Sequence, residues 1–253
     1  MRRAFALVLA PVLLAALAAP ASARTPLPVG TDADYQLGGA RPVPVSVGIV
    51  ERDRRDRPVP GRYNICYVNG FQTQTGERRF WSKRPGLILR RHGHPVVDSV
   101  WGERLLDIRT PHNRHRLATI LRPWVHGCAK HGYDAVEYDN LDSFTRSHGL
   151  IKRRQAVAYA RLLVHVAHAA GLSAAQKNFA EFDGGSVGYD FAVAEECGRY
   201  RECRSYVAHY GRRVISIEYR RADFRRTCAH YGSQLPVVLR DVDLTPHGVR
   251  EWC

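Results

Sequence analysis

The sequence predicts an α/β fold, a single (β/α)8 TIM-type barrel, from three observations. The chain has 253 residues, and the roughly 230 that follow an N-terminal leader suit one barrel domain. Eight apolar runs bounded by turn residues have the character of strands. Helical patterns fall between the later runs, and such alternation is typical of parallel strands joined by helical crossovers.

The N-terminus has the pattern of a secretory signal peptide. Arg2 and Arg3 precede an apolar stretch over residues 4–19, and an A-x-A site follows at residues 21–23. We expect cleavage near Ala23 and a secreted, extracellular protein with no integral membrane association, since no other apolar stretch is long enough to span a bilayer. The expected divisions are a signal peptide (1–23), an extended lead-in (24–34) and a (β/α)8 catalytic domain (35–253).

The strand predictions follow the chain in order, each ending at or beside turn-forming or polar residues. They are Tyr35–Gly39, Val45–Val50, Tyr63–Val68, Ala135–Asp139, Leu172–Lys177, Tyr189–Glu195, Val214–Glu218 and Leu235–Arg240.

Two long helices are predicted between the later strands, over Arg114–His131 and Lys152–Ala170. The second has apolar residues at intervals of three or four, and Gly171 follows at the position that ends many helices. Shorter helices are predicted near Gly198–His209 and Ala222–Ala229. The segment Phe71–Val100 is predicted to be a long loop with a short element inside it, and long loops in compact domains are usually functional.

Polar side chains stand at the carboxyl ends of six predicted strands. Parallel strands bring such residues to one mouth of a barrel, where barrel enzymes carry out their chemistry. Within the run from Ala135 to Asp142, Glu137 shares its side-chain direction with Asp139 and is expected one layer deeper, in the core. Glu196 has the direction opposite to Glu195. The clusters are Tyr67-Val68-Asn69, Asp139-Asn140, Lys177-Asn178, Glu195-Glu196, Glu218-Tyr219 and Arg240-Asp241.

Two of these side chains have alternative roles. Lys177 could bind substrate, or it could compensate buried carboxylates such as Asp139 or Glu218. Asp142 could belong to the site, or it could cap the segment that follows it.

The residue types favour glycoside hydrolysis, in which one carboxylic acid protonates the leaving oxygen and a second carboxylate acts as nucleophile or base. The sequence has no nucleotide-binding loop, no Ser-His-Asp spacing and no metal motif beyond an isolated His92-x-His94 pair, so no cofactor or metal is predicted. Candidate aromatic platforms for sugar rings are Tyr35, Tyr67, Trp81, Trp101, Tyr138 and Tyr219.

The six cysteines suggest disulfides, because their number is even in a chain that carries an export signal. Proximity favours Cys197–Cys203 as a small loop and Cys228–Cys253 as a clasp. Cys66 and Cys128 would then pair by elimination, or they would stay as buried thiols.

The charge balance is strongly basic. Loss of Arg2 and Arg3 with the leader lowers the net charge from +14 to +12. Such a field attracts anionic polymers or acidic substrates, although solvated faces are the simpler explanation. The basic runs are not interleaved with aromatics as in single-strand nucleic-acid binders, so no nucleic-acid partner is predicted.

The run from Gly132 to Asp142, Gly-Tyr-Asp-Ala-Val-Glu-Tyr-Asp-Asn-Leu-Asp, resembles the signature of glycoside hydrolase family 114, the endo-α-1,4-polygalactosaminidase-like proteins. Similar runs follow in order over residues 34–253. They include Gln176-Lys177-Asn178, Tyr189–Cys197, Tyr200–Cys203 and Val214–Tyr219.

The resemblance implies a (β/α)8 barrel that hydrolyses α-1,4-linked galactosamine-containing polysaccharide. It places the catalytic pair at Asp139, as nucleophile or base, and Glu195, as acid/base. A polysaccharide partner and a monomeric enzyme are expected. The expected binding shell is Tyr35, Tyr67, Trp101, Asn140, Asp142, Lys177, Asn178, Glu218 and Tyr219.

Two other functions fit the same residues. A non-catalytic barrel that binds carbohydrate or an envelope polymer would retain the cleft without cleaving. A binder of anionic polymers would depend on charge and would lose affinity as salt rises.

Overall fold

The computed structural model describes residues 24–253, so the predicted signal peptide lies outside the described residues. The α-helices are α1 (Arg78–Ser82), α2 (Pro111–His131), α3 (Arg153–Ala169), α4 (Cys197–Tyr200), α5 (Cys203–Tyr210) and α6 (Arg221–Tyr231). The strands are β1 (Asp32–Gln36), β2 (Val47–Asp53), β3 (Tyr63–Asn69), β4 (Arg90–Arg91), β5 (His94–Pro95), β6 (Ala135–Asp139), β7 (Ser173–Lys177), β8 (Phe191–Glu195), β9 (Val214–Glu218), β10 (Val237–Arg240) and β11 (Arg250–Trp252).

Nine strands form one sheet in the order β1-β2-β3-β6-β7-β8-β9-β10-β11, and it curves into a nearly closed barrel. The eight strands from β1 to β10 pair in parallel, while β11 pairs antiparallel with β10. Helices connect the later strands and cover the sheet, as parallel pairing requires. The structure confirms the predicted (β/α)8 architecture, and β11 is an addition that the sequence did not predict.

Each barrel strand divides its side chains between two cores, because successive residues point to opposite faces. On β9, Ile215 and Ile217 belong to the core inside the barrel. Val214 belongs to the larger core between the sheet and the helices. The same alternation directs Glu137, Asp139, Lys177 and Glu195 inward, so the carboxyl ends of the strands determine what lines the mouth.

The barrel is closed between β1 and β10 by side chains. Arg250 of β11 donates to Asp34 at 2.6 Å, and the buried Arg240 lies 4.0 Å from the other oxygen of that carboxylate. The Trp252 indole donates to the Ala33 carbonyl at 2.7 Å. Gly38, just beyond β1, faces the Leu244 backbone so closely that a Cβ would lie 2.4 Å from its carbonyl oxygen. Arg240 was predicted among the polar residues at the strand ends. In the structure it is buried beside Asp34, so its role is structural.

Most predicted elements are found with shifted ends. The first strand begins at Asp32, inside the predicted lead-in, because the polar Asp34 is buried by arginines from the other end of the chain. The predicted helix near Gly198–His209 is two helices, divided at Arg201, which has a left-handed backbone with φ of 59°. The long loop contains α1 and the β4–β5 hairpin.

The ends of α3 follow the predicted pattern. Its buried face carries Ala156, Ala160, Leu163 and Ala167 at helical spacing. Gly171 follows with a φ of +79°, a conformation that glycine adopts without a steric cost. The hydrophobic pattern and this glycine were therefore sufficient to predict α3 to within one residue at each end.

Residues of the lead-in pack against the amino-terminal end of the barrel. Leu27 is buried with the inner core. The Thr25 carbonyl accepts hydrogen bonds from the Tyr63 hydroxyl at 3.1 Å and from the Ser173 hydroxyl at 2.8 Å. The segment before β1 is therefore part of the folded domain.

All six cysteines form disulfides, in the pairs that proximity and elimination favoured in the sequence. They are Cys66–Cys128, Cys197–Cys203 and Cys228–Cys253. The first joins β3 to α2, and the third joins α6 to the residue that follows β11. Among the helices of residues 24–253, none is long and apolar enough to cross a membrane.

We expect the disulfides to stabilise the protein in proportion to the loop that each closes. Cys66–Cys128 spans 62 residues and Cys197–Cys203 spans 6. Chain entropy assigns about 4 kcal/mol to the first and about 2 kcal/mol to the second. Urea unfolding of the two double Cys→Ala variants measures both losses. A larger loss for the variant without Cys197 and Cys203 would contradict the loop-length argument.

Candidate active site

The carboxyl ends of the barrel strands surround a cavity of about 340 Å³. Its walls carry seven acidic side chains and two basic ones, Lys177 and Arg146, together with tyrosines and Trp101. The cavity is therefore acidic although the whole chain is basic. The acidic residues are Asp53, Asp98, Glu103, Asp139, Asp142, Glu195 and Asp243.

The Lys177 ammonium group occupies the centre of the cavity floor, where its side chain is 2% exposed. It donates to Asp139 Oδ1 at 3.0 Å and to the Tyr35 hydroxyl at 3.0 Å. Its Nζ also lies 3.2 Å from Glu195 Oε2 and 3.3 Å from Glu137 Oε1. Burial lowers the pKa of Lys177, but Asp139, Glu137 and Glu195 together raise it well above its usual value. The ammonium therefore stays charged and links three carboxyl groups.

Asp139 ends β6 with both carboxylate oxygens hydrogen-bonded. Oδ1 accepts from Lys177 and from the Asn140 backbone at 2.7 Å, and Oδ2 accepts from the Tyr67 hydroxyl at 2.6 Å. Burial raises the pKa of Asp139, but the Lys177 charge and the Tyr67 hydroxyl outweigh it, so the pKa lies below its usual value. Asp139 is therefore an ionised carboxylate of fixed orientation.

Glu195 ends β8 and is held by three donors. Its Oε1 accepts a short hydrogen bond from the Tyr219 hydroxyl, and Oε2 accepts from the Asn178 amide at 3.2 Å. Lys177 is its third partner. The Asn178 Oδ1 in turn accepts from the Glu195 backbone at 2.9 Å. Burial raises the pKa of Tyr219 well above its usual value, so this phenol remains a donor.

The loops after β6, β7 and β8 begin with residues in the left-handed backbone region. Asn140 has a φ of 67° and Asn178 a φ of 52°, and asparagine tolerates this region better than most residues. The turn at Asn140 directs its backbone N–H back to Asp139. Glu196, with a φ of 56°, points away from the cavity to Arg199 at 2.8 Å, as its position after Glu195 predicted.

Below the mouth, two carboxyl groups lie buried in the barrel. Glu137 is fully buried, as predicted, and its Oε1 accepts from the Tyr35 hydroxyl at 3.4 Å. Within the described residues, Glu137 Oε2 and both Glu51 oxygens have no hydrogen-bond donor. Burial, followed by the nearby Glu137, raises the pKa of Glu51 well above its usual value, and burial raises that of Glu137 to about 7. Glu51 therefore holds its proton to a higher pH than an exposed glutamate does, and a protonated carboxyl can donate to a second one.

The cavity brings together most of the residues that the sequence singled out. Besides the proposed catalytic pair, the predicted residues that line it are Tyr35, Tyr67, Trp101, Asn140, Asp142, Lys177, Asn178 and Tyr219. Lys177 pairs with Asp139, Glu137 and Glu195 rather than with Glu218. Asp142 lines the cavity and binds Arg146 at 2.9 Å, and it makes no capping hydrogen bond.

Glu218 is not brought to the cavity. It belongs to the outward-facing set of β9, and its Oε1 accepts from the Gly198 backbone at 2.7 Å and from the Thr227 hydroxyl at 3.2 Å. A Cβ at residue 198 would lie 1.8 Å from the Thr227 hydroxyl oxygen, so only glycine fits this contact. The carboxylate orients α4 instead of binding a ligand.

Two of the predicted aromatic platforms are core residues. Trp81 is fully buried and donates to Glu77 at 3.1 Å, and Tyr138 is fully buried and donates to the Leu163 carbonyl at 2.9 Å. Tyr138 lies on the outward face of β6 and Trp81 on α1, so neither faces the cavity. Trp101, in contrast, is half exposed at the cavity rim.

Three residues that line the cavity were not predicted from the sequence: Glu103, Asp98 and Arg146. Glu103 and Asp98 come from the long segment before α2, and Arg146 comes from the loop after β6. Arg146 Nε lies 2.9 Å from Asp98, and its Nη2 donates to Asn140 at 3.0 Å. The sequence signal for Asp98 was the length of the predicted loop Phe71–Val100, since long loops of compact domains are usually functional. Glu103 lies three residues beyond that loop.

We expect Glu51→Gln to stabilise the protein at alkaline pH. The folded pKa of Glu51 lies above the unfolded value of about 4.3, so unfolding releases a proton and becomes easier as pH rises above that value. Glutamine resembles the protonated side chain and removes this dependence. Urea unfolding should show a gain in the free energy of unfolding at pH 8 that disappears at pH 4.

Glu251→Gln is the matched control, because Arg221 lowers the pKa of this exposed carboxyl. Loss of the Glu251 carboxylate should lower the free energy of unfolding at pH values above the pKa of this group in the unfolded chain. An equal gain for both variants at pH 8, or a Glu51→Gln gain that does not depend on pH, would contradict the assigned proton.

Two solved structures share this architecture. Ega3 from Aspergillus fumigatus, in a crystal structure with galactosamine, aligns with a TM-score of 0.74 and 22% identity over 91% of this chain and 98% of its own. The glycoside hydrolase domain of PelA from Pseudomonas aeruginosa aligns with a TM-score of 0.60 and 16% identity over 86% and 97%. At these identities, the likeness shows the barrel fold alone. A search of curated proteins gave no match.

The family model of glycoside hydrolase family GH114 matches residues 14–253, which is nearly the whole chain. This match confirms the resemblance that was noted from Gly132 to Asp142 and in the runs on either side. The chain therefore belongs to glycoside hydrolase family GH114, and the protein is a glycoside hydrolase.

Proposed function

We propose that this enzyme cleaves α-1,4-linked galactosamine-containing polysaccharide and that Asp139 and Glu195 carry the reaction. The observation that carries the proposal is the shared contact of both carboxylates with the Lys177 ammonium, which holds them on one floor of an open cavity. Glycoside hydrolysis needs such a pair on either side of the scissile bond.

The surroundings of the two groups support different roles. Asp139 has a lowered pKa and accepts from Lys177, the Asn140 backbone and the Tyr67 hydroxyl, which suits a nucleophile that attacks C1 of the sugar. Glu195 would protonate the leaving oxygen as the C1–O bond breaks. A water molecule would then attack C1 of the glycosyl–Asp139 ester, give its proton to Glu195 and release Asp139.

The distance between the carboxylates favours retention of configuration. Asp139 Oδ1 and Glu195 Oε2 lie 3.0 and 3.2 Å from the same nitrogen. These two oxygens are therefore at most about 6.2 Å apart, and the carboxyl separations of inverting enzymes are about 6.5–9.5 Å. The spacing supports a double displacement through a covalent intermediate.

The charge of the cavity supports a cationic substrate. A polymer of de-N-acetylated galactosamine carries ammonium groups, and the basic net charge of the chain would repel it. The cavity reverses that sign locally with seven acidic residues against two basic ones. The galactosamine bound to Ega3 is consistent with the same class of substrate.

A second cavity supports a polymeric substrate cut within its length. It shares Asp142, Asn178 and Glu195 with the first cavity, so the two cavities adjoin at these residues. It adds the aromatic rings of Phe179 and Tyr200, and aromatic faces suit the apolar faces of sugar rings. A cavity on the far side of Glu195 would take sugar units on the leaving-group side of the scissile bond.

We expect Asp139→Asn and Glu195→Gln each to reduce the release of reducing ends from de-N-acetylated α-1,4-polygalactosamine by about 10³-fold or more, because each removes a reacting group. Glu196→Gln is the matched control, since its side chain lies one residue away and binds Arg199 outside the cavity. Activity near wild type in either cavity variant, with the control also active, would refute the assigned pair.

We also propose export. The pattern over residues 1–23 and the three disulfides both suit an oxidising compartment. The N-terminal sequence of the protein recovered outside the cell should begin at Arg24. Recovery of the full chain within the cytoplasm, with free thiols, would contradict this expectation.

A further inference from the structure

The start of α3 carries a cluster of positive charge that the two-carboxylate mechanism does not use. Residues 143–180 include six lysine and arginine residues and no acidic one. Four of these cations surround an open cavity of about 530 Å³ on the exposed side of α3, and the lining of this cavity contains no carboxylate. We call it the basic cavity. Its cations are Lys152, Arg153, Arg154 and Arg161.

The four cations of the basic cavity lack carboxylate partners. Within residues 24–253, none of them lies within ion-pair distance of a carboxylate, in contrast to Lys177 and Arg146 from the same stretch of sequence. All four side chains are exposed. A single exposed cation needs no partner, because water hydrates it. Four like charges around one cavity repel one another, and a bound anion relieves this repulsion.

The backbone of α3 adds positive charge at the same place. The helix has 17 residues, and Lys152 is its N-cap. The N-terminus of a helix of this length carries roughly half a positive charge, because the first N–H groups have no acceptor within the helix. Arg153, the first helical residue, is also held in position. It donates to the Glu181 carbonyl at 3.3 Å, and its guanidinium lies 4.8 Å from the centre of the Phe179 ring.

The rest of the lining of the basic cavity is apolar. It consists of Val157 and Ala158, which are half-buried on α3, and the buried Phe182 from the loop after β7. A sugar ring has an apolar face that suits such a floor. A carboxylate or sulfate group on the ring would meet the guanidinium groups at the side, and arginine binds both of these anions through charge-assisted hydrogen bonds.

Two other anionic partners fit this surface less well. Single-stranded nucleic acid stacks its bases on aromatic faces, and the only ring in the lining, that of Phe182, is 7% exposed. A membrane surface takes up exposed apolar side chains, and no large apolar residue of α3 is exposed in the described chain.

We propose that the basic cavity binds an anionic polysaccharide, whose carboxylate or sulfate groups pair with Lys152, Arg154 and Arg161. This ligand differs from the proposed substrate, because four cations repel a chain of ammonium groups. Arg153 lines both the basic cavity and the second cavity, so the two adjoin. The enzyme therefore holds an anionic polymer beside the cavities in which it cleaves a cationic one. The inference concerns a separate ligand and does not rest on the proposed function.

The first test titrates wild type and the double variant Arg154→Glu/Arg161→Glu with a fluorescently labelled oligogalacturonate at several salt concentrations. Both positions are exposed, and glutamate is a good helix former, so α3 should persist. We expect the Kd of the variant to rise about tenfold or more, because two charge-assisted contacts are lost. The salt dependence of binding should also become weaker. An unchanged Kd would overturn the inference.

Arg204→Glu/Arg225→Glu is the matched control. It makes the same change in net charge at exposed positions on α5 and α6, and neither arginine lies within ion-pair distance of a carboxylate in residues 24–253. A loss of affinity as large as that of Arg154→Glu/Arg161→Glu would assign binding to the net charge of the whole protein and overturn the inference.

Ala158→Gln tests the shape of the basic cavity without a change in charge. The longer side chain fills the space over the apolar floor, so oligogalacturonate should bind more weakly. Unchanged affinity in this variant would show that the ligand does not enter the cavity, and it would overturn the inference.

The kind of ligand is tested by titrating wild type with a single-stranded oligonucleotide of the same charge and with vesicles that contain anionic lipid. Weaker binding of both than of oligogalacturonate supports a polysaccharide site. Tighter binding of either would assign the basic cavity to that other class of partner and overturn the inference.

Hydrolysis provides the test of separation from the reaction. Neither Arg154 nor Arg161 lines the first or the second cavity, so Arg154→Glu/Arg161→Glu should cleave a short galactosamine oligomer at the wild-type rate. A loss of cleavage would place these arginines in the reaction and contradict a separate site. If wild type does not cleave the oligomer, the proposed function fails, and the titrations still decide whether the basic cavity binds an anionic polysaccharide.

Discussion

A lysine ammonium group cannot be buried at the mouth of a barrel unless carboxylates surround it, because an unpaired charge loses its hydration without compensation. Lys177 meets this constraint through Asp139, Glu195 and Glu137. The carboxyl groups also need the lysine, since they would repel one another without its positive charge. The positions of the two proposed catalytic groups therefore depend on a third residue, Lys177, whose ammonium group contacts both of them.

This constraint extends downward into the barrel. The inner core is apolar along most of its length, but Glu137 and Glu51 continue the polar column beneath Lys177. A protonated Glu51 carries no charge, so the column has fewer negative charges than carboxyl groups. The mouth can therefore stay acidic toward the substrate while the interior below it remains close to neutral.

The sequence predicted the barrel and the centre of the site because both depend on local pattern. Apolar runs that end in Asp139, Lys177 and Glu195 identify the strands and the side of the barrel where their polar ends meet. Glu218 shows the limit of this reasoning: it ends a strand as the others do, but its place in the alternation turns it outward. Side chains alternate along β9, with Ile215 and Ile217 inside the barrel. This alternation favours Tyr219 over Glu218 as the residue that faces the cavity.

The contributions that the sequence did not reveal come from contacts between distant parts of the chain. Glu103 enters the cavity from a segment without regular pattern, and its carboxyl group is held by Asn69 and Asn140, which are 34 and 37 residues away. The start of β1 was misplaced for the same reason, because the burial of Asp34 requires Arg250 from the far end of the sequence. The hydrophobic pattern of a short stretch of sequence carries no information about contacts with residues far away in the chain.

The closure of the barrel has a consequence for the behaviour of the protein in solution. Since β1 and β10 do not pair, each presents an edge of backbone donors and acceptors, and an exposed edge can recruit strands from other molecules. The antiparallel β11 occupies the edge of β10, while Trp252 binds a carbonyl of β1. Cys253, linked to α6, fastens this cover beside the sheet. The last strand thus covers the edge of β10 that could otherwise pair with a strand of another molecule.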